Sequence, residues 1–413
     1  MTLAAVAPVE DRDFRPAGEG RYILELPRLA LTLDLDRLRR DRGYLHGELI
    51  VRCGLPGTRS ADGVLYAGDV NVSTPPGRDL VSLLSLRANV ASLDWPELLG
   101  DLSARVLAAE RHGAPAVLLR DVPRPGPDED VVVDGVRVLL RHPMMLFGDG
   151  GVAKSLYTLY LSTRLEAMGI RVMYADWEFS GEDHRDRLER LCGAEMPAIR
   201  YVRCERPLVA EADRLRRLVR EHGIDYLVCD SVAFASDGPP EAAEVAGAYF
   251  RSLRAIGVGS LNVAHTTKAE GGDQKPFGST FWHNGSRSTW YVKRAAGEPG
   301  DARLGIALFN RKSNVGPLSP AVGFSIEFGA ERTTFAREDV AGMGADVAAQ
   351  LSVRQRMVSL LRTGAMTMVE IAGELDVPVD TIVKTSKRGD GKVFVRVPGA
   401  DGVFRIGLLE RSA

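Results

Sequence analysis

The chain has 413 residues, 45% hydrophobic and 26% charged, a length that calls for two or three domains and a composition that excludes disordered and fibrous classes. Its 53 Lys and Arg against 55 Asp and Glu leave a formal charge of −2, so the protein is not basic overall and any nucleic-acid contact has to come from local patches. No apolar run approaches the roughly 18 residues of a membrane helix, the first twenty residues carry no signal-peptide core, and Cys53, Cys192, Cys204 and Cys229 form no C-x-x-C pair, a usage expected of a reducing cytoplasm.

Residues 21–75 read as strands, since YILELP, LALTLDLD and YLHGELIVRC alternate or run apolar between Gly and Pro breaks. A helical pair follows, its second member spanning residues 96–112 with apolar periodicity and Gly113 placed to end it. The Pro-rich stretch PRPGPDED at 123–130 marks a boundary, and VVVDGVRVLL after it predicts a hairpin turning at Asp134-Gly135. Nothing in this first region forms a catalytic constellation; the expectation is a docking or oligomerisation module over 1–128.

From His142 to about Phe328 short apolar strands (MMLF, RVMYA, AIRYVRC, DYLVCD, GSLNVAH) alternate with helices of ten to fifteen residues. That alternation predicts an α/β core over 129–337, a mostly parallel sheet covered on both faces. STWYVKR, RLGIALFN and VGFSIEF extend it, and a polar, Gly-containing stretch near 338–349 leads to a small tail domain over 350–413. There an amphipathic helix, a second helix capped by Thr367, a third short helix TIVKTSKR and a hairpin around Gly399–Gly402 predict a winged helix-turn-helix. Between 381 and 396 Lys384, Lys387, Arg388, Lys392 and Arg396 stand against Asp390 alone, a patch suited to the phosphates of duplex DNA or, on the alternative reading of such domains, to a protein partner.

The strongest motif is Gly148-Asp149-Gly150-Gly151-Val152-Ala153-Lys154-Ser155, lying between a strand and an amphipathic helix. Glycines there let successive backbone N–H groups curl around phosphate, and the helix adds the positive end of its dipole. Lys154 would reach the β- and γ-phosphates of ATP and the Ser155 hydroxyl would ligate Mg²⁺. Ala153 stands where a glycine is usual before the lysine, and since this position begins the helix, an ordinary right-handed helical conformation is expected for it. Asp230 ends the strand DYLVCD, where a carboxylate can hold the metal; its bland alternative is a helix cap. Glu178, in Asp176-Trp177-Glu178 after the strand RVMYA, is in position to orient an attacking water, with Asp176 as the second candidate.

In this order, the phosphate loop, the glutamate of YADWE, the aspartate of LVCDS and the polar strand end AHTTK resemble the RecA-like ATPases, most closely the RepA-like branch of the DnaB-type hexameric helicases. The resemblance spans about residues 142–328. It implies a RecA-like fold, a homo-oligomer, a hexameric ring, and passage of single-stranded DNA through the core. It implies that His265 or Thr266 senses the γ-phosphate, and that a loop carrying Lys268 and Lys275 meets the DNA backbone, the alternative being a solvated loop. It also implies that Arg311, in Asn310-Arg311-Lys312-Ser313-Asn314, reaches the neighbouring subunit's nucleotide as an arginine finger. The expected activity is therefore Mg²⁺-dependent ATP hydrolysis driving a DNA helicase. Two other readings stay open: an ATP-dependent DNA-binding switch or loader that hydrolyses slowly, and a P-loop kinase, against which stands the lack of an arginine-rich lid after the core.

Overall fold

A computed structural model describes residues 12–18, 20–88, 93–113, 116–124, 126, 129–266, 275–298, 300–399 and 402–409. The chain divides into two compact units, Met1–Arg124 and Pro125–Ala413.

The first unit is an antiparallel meander, β1 (Asp13–Pro16), β2 (Tyr22–Leu26), β3 (Leu31–Asp41), β4 (Tyr44–Cys53) and β5 (Val64–Asn71), in that spatial order. Period-two alternation decides which face is buried: in β4 Leu45, Gly47, Leu49, Val51 and Cys53 point inward and the residues between them do not. Two helices, α1 (Arg78–Ala88) and α2 (Trp95–His112), contribute to the core against that face. Asp94 caps α2 by accepting from the Glu97 amide, and Trp95, Leu98, Leu99, Leu102 and Val106 make its buried stripe. Each such side chain contributes about 1.5–3 kcal/mol by burial.

The second unit opens with the hairpin β6 (Asp130–Val133) and β7 (Val136–Leu139), in which Val133 pairs with Val136. Asp134 and Gly135 both take positive φ (47° and 88°), as a two-residue primed turn requires. The core then runs β8 (Pro143–Gly148), α3 (Lys154–Ala167), β9 (Val172–Asp176), α4 (Gly181–Cys192), β10 (Arg200–Arg203), α5 (Leu208–His222), β11 (Tyr226–Asp230), α6 (Val232–Ala235), α7 (Ala243–Ile256), β12 (Gly259–His265), α8 (Thr280–Gly285), β13 (Ser288–Arg294), β14 (Arg303–Ser313), β15 (Val322–Phe328) and β16 (Thr333–Glu338). These strands form one nine-stranded mixed sheet, β10-β9-β11-β12-β8-β13-β14-β15-β16, parallel from β10 to β13 and antiparallel beyond. Both faces are covered. In β8, Met145 and Phe147 join the cluster of α5 and α7, while Met144 and Leu146 join that of α3.

Two features depart from the sequence expectation. β16 was not anticipated, because Thr-Thr-Phe-Ala-Arg-Glu carries little apolar signal; it pairs with β15 as the sheet edge. The stretch near 338–349 is not a simple lead into the tail. Val340, Met343 and Val347 are buried in the core cluster, with α9 (Ala345–Ala348) among them. Gly305 and Gly323 leave the notch for Met343, since a Cβ on either would come within 3.0 Å of it.

The tail has its own core of Met357, Leu361, Ile371, Ala372, Ile382, Phe394 and Ile406, built by α10 (Val353–Leu360), α11 (Met368–Leu375), α12 (Val379–Gly389) and the hairpin β17 (Phe394–Pro398) with β18 (Phe404–Leu408). Ser352 and Thr367 cap α10 and α11 reciprocally with Gln355 and Glu370. Among the described residues, no helix is long and apolar enough to cross a membrane.

Candidate functional site

The parallel strands bring the separated motifs to one edge of the sheet. His265 pairs with Gly148 and Asp230 with Asp176, so the ends of β12, β8, β11 and β9 lie side by side. The Thr266 amide donates to the Gly148 carbonyl at 3.2 Å, and His265 itself is exposed.

The loop from Gly148 to Ser155 leaves β8 and enters α3. Gly148 is required by close approach, because a Cβ there would stand 2.5 Å from the Val292 carbonyl oxygen. Gly151 is required by its φ of 72°, whereas a Cβ on Gly150 would meet no protein atom. Ala153 corrects the sequence expectation. It caps α3 in the left-handed region, φ 59° and ψ 28°, not in a right-handed helical conformation. The loop must reverse before the Ala153 carbonyl can accept the Tyr157 amide and start the helix, and that reversal overrides the alanine's own preference, at a cost of about 1–2 kcal/mol.

Lys154 is 7% exposed, and its Nζ donates to the carbonyls of Gly148 (3.0 Å) and Asp149 (2.5 Å). Burial holds its pKa below the ordinary lysine value, opposed by the charges of Asp230, Glu178 and Asp149. Those carboxylates belong to three different segments, so Lys154 stands at the centre of the assembled motifs.

Asp230 and the neighbouring Ser231 are almost wholly buried. Asp230 Oδ2 accepts from the Tyr174 hydroxyl at 2.7 Å, and the Ser155 hydroxyl lies beside this carboxyl. Oδ1, like the Ser231 Oγ, has no hydrogen-bond partner among the described residues. Burial raises the Asp230 pKa above the usual carboxylate range, against the nearby Ser155 hydroxyl and the Tyr174 hydrogen bond. Among the described residues no cluster of three or more His, Cys, Asp or Glu side chains could hold a metal unaided. A cation at Asp230 would therefore share its ligands with a hydroxyl and a bound anion, and the orphaned Oδ1 beside Ser155 suits Mg²⁺ held in that manner.

Glu178 is exposed, on the loop after β9. Its backbone is tied on every side. The Glu178 and Phe179 amides donate to Asp176 Oδ1, both at 3.0 Å, and the Trp177 amide donates to the Asp230 carbonyl at 2.7 Å. Asp176, the second candidate, is fully buried and also accepts from Tyr201 Oη at 2.9 Å. Burial would raise its pKa, yet the nearby His184 ring and hydrogen bonds from the two amides and Tyr201 bring it below the ordinary value. Tyr174, His184, Tyr201 and Ser231 are the site residues that the sequence did not disclose.

Arg311 lies two strands from β8, on β14, with its guanidinium 5.3 Å from the Phe309 ring centre and 5.6 Å from that of Tyr291, and it donates to Gln350 Oε1. Within the single chain it is not gathered with Lys154 and Glu178. Its neighbours are structural. Asn310 Nδ2 donates to Ser288 Oγ and the Thr289 carbonyl, and Lys312 Nζ donates to the carbonyls of His283, Asn284 and Ser286 at the end of α8. Lys275 is exposed and its carbonyl accepts from Thr266 Oγ1; Lys268 lies outside the described residues. In the tail, Lys384 pairs with Asp380 one turn earlier, while Lys387 and Arg388 are exposed in the last turn of α12.

No family model matches this sequence, and a search of curated proteins finds no match either.

Proposed function

We propose that the chain is a RecA-like, Mg²⁺-dependent ATPase that acts on DNA as a ring, with a winged-helix tail. One observation carries the reading. Lys154, in a glycine loop at a helix start, lies within the fields of Asp230 and Glu178, each at the end of a neighbouring parallel strand. Phosphate would draw the ammonium from the Gly148 and Asp149 carbonyls, while the amides of residues 150–155 line the anion. Mg²⁺, held by Ser155 and Asp230, would neutralise charge on the phosphate oxygens. Glu178 would orient a water in line with the γ-phosphorus and take its proton. The water oxygen bonds to phosphorus as the bond to the β-phosphate oxygen breaks, and ADP leaves with that electron pair. Arg311 of a second copy would complete the charge stabilisation.

The test is ATP hydrolysis with and without single-stranded DNA, read beside particle size. Stimulated turnover by an oligomer supports the motor, and no hydrolysis under any condition overturns the assignment. Glu178→Gln should keep ATP binding and lower turnover by ~10²-fold or more. Lys387→Ala with Arg388→Ala should weaken duplex binding in a salt-dependent way; unchanged affinity would turn the tail toward a protein partner.

The contact of Arg311 with Gln350 and two rings favours a second reading, an ATP-dependent switch in which the finger is withheld until assembly. Slow hydrolysis without strand displacement would select it.

A further inference from the structure

We propose that Asp176 is a positioning residue for Glu178, and that Tyr201, His184 and Tyr174 join it to Asp230 so that the water-orienting and metal-holding carboxylates are set as one unit. The inference rests on the ATPase reading above.

The backbone of Glu178 sets where its Cα–Cβ bond points. Asp176 Oδ1 takes the amides of Glu178 and Phe179, and the Asp230 carbonyl takes that of Trp177. Arg203 Nη1 fixes the next peptide by donating to the Phe179 carbonyl at 2.6 Å. The other oxygen, Oδ2, accepts from Tyr201 Oη at 2.9 Å, with His184 Nε2 and the same Arg203 Nη1 each at 3.5 Å. An asparagine oxygen could accept the same amides without the expense of burying a charge. The carboxylate's advantage is stiffness, since charge-assisted hydrogen bonds are about twice as strong as neutral ones.

The chain of contacts continues. The His184 ring centre lies 4.6 Å from that of Tyr174, whose hydroxyl donates to Asp230 Oδ2 at 2.7 Å. The Trp177 amide closes the circuit through the Asp230 carbonyl. No member other than Asp230 and Glu178 needs to touch nucleotide. Tyr201 and His184 act through Asp176, and Tyr174 acts through Asp230.

The experiment measures kcat and KM for ATP, with equilibrium ATP binding and the thermal midpoint, in the full-length wild type, Asp176→Asn, Tyr201→Phe, Glu178→Gln and the double variant Asp176→Asn/Glu178→Gln. Asp176→Asn should lower kcat by ~10–10²-fold, the scale of a misplaced catalytic group, with KM within about threefold. In that background Glu178→Gln should lower kcat only a few-fold further, because the misplaced carboxylate has little left to lose. Tyr201→Phe, which leaves the Oδ1 bonds intact, should lower kcat by about 3–10-fold, again with KM unchanged. If Asp176→Asn does not fold, Tyr201→Phe and its double variant with Glu178→Gln carry the test. A wild-type kcat in the folded variants, a loss mirrored in KM, or additive effects would overturn the inference while leaving the ATPase reading intact. A wild type without hydrolysis overturns both.

Discussion

The ends of β9 and β11 carry two aspartates side by side, Asp176 and Asp230, paired in register and each fully buried. Their hydrogen bonding is opposite. Asp176 has donors on both oxygens and sits below the ordinary carboxylate pKa, while Asp230 has a bare Oδ1 and sits above it. Neither side chain reaches solvent, but Asp230 lies deeper, which raises its pKa, and Asp176 has the fuller supply of donors, which lowers its own. A buried carboxylate whose bonds are complete stiffens its surroundings, and one left incomplete costs stability until a cation or proton arrives. The first is scaffold and the second is a ligand in waiting.

Four substitutions test that contrast. Lys154→Ala removes the cation between the two strand ends and should abolish ATP binding with the fold intact; affinity retained within a few-fold would break the assignment of both ends to one site. Asp230→Asn should weaken the Mg²⁺-dependent part of ATP binding by about 10–100-fold, the scale of losing a metal-site group, while leaving thermal stability equal or higher. A clear loss of stability there would make Asp230 scaffold as well.

Asp176→Asn should do the reverse, lowering stability at pH 7 by about 1–3 kcal/mol in denaturant titration. The folded-state pKa of Asp176 lies below the unfolded value of about 3.9, so its contribution is present above that pH and is lost as pH falls through the folded value. The gap between wild type and variant should therefore close in acid. A gap that widens would reverse the assigned sign. The smallest effect belongs to Ala153→Gly, which should stabilise by about 0.5–1 kcal/mol, the relief of the left-handed backbone less the added freedom of unfolded glycine.

What was legible in the sequence was local. The loop from Gly148 to Ser155 is contiguous, and the strands around it are short apolar runs separated by helical periodicity, so both follow from neighbours in the chain. The Asp134-Gly135 turn is of the same kind. The left-handed Ala153 was not legible, because closure of the loop outweighs the residue's own preference. Val340, Met343 and Val347 were hidden in a Gly- and Ala-rich stretch, and the notch for Met343 is made by Gly305 and Gly323 on the earlier strands β14 and β15. The surroundings of Asp176 were hidden for a related reason. His184 and Tyr201 come 8 and 25 residues later, one on α4 and the other on β10, which pairs with β9 beside Asp176.

The anchoring of β14 has a mechanical consequence. Asn310 and Lys312 are pinned to β13 and to the end of α8, and Arg311 between them is the extra residue where the β13–β14 register shifts. Its Cα is a post set in a frame, and its side chain is held by Gln350 and by the rings of Phe309 and Tyr291. A displacement of residues 283–286 would be passed to β14 beside Arg311 through the Lys312 strut. An arginine mounted this way measures the position of a whole wall of the molecule, and replacing Lys312 with Met would put play into that linkage without touching the guanidinium.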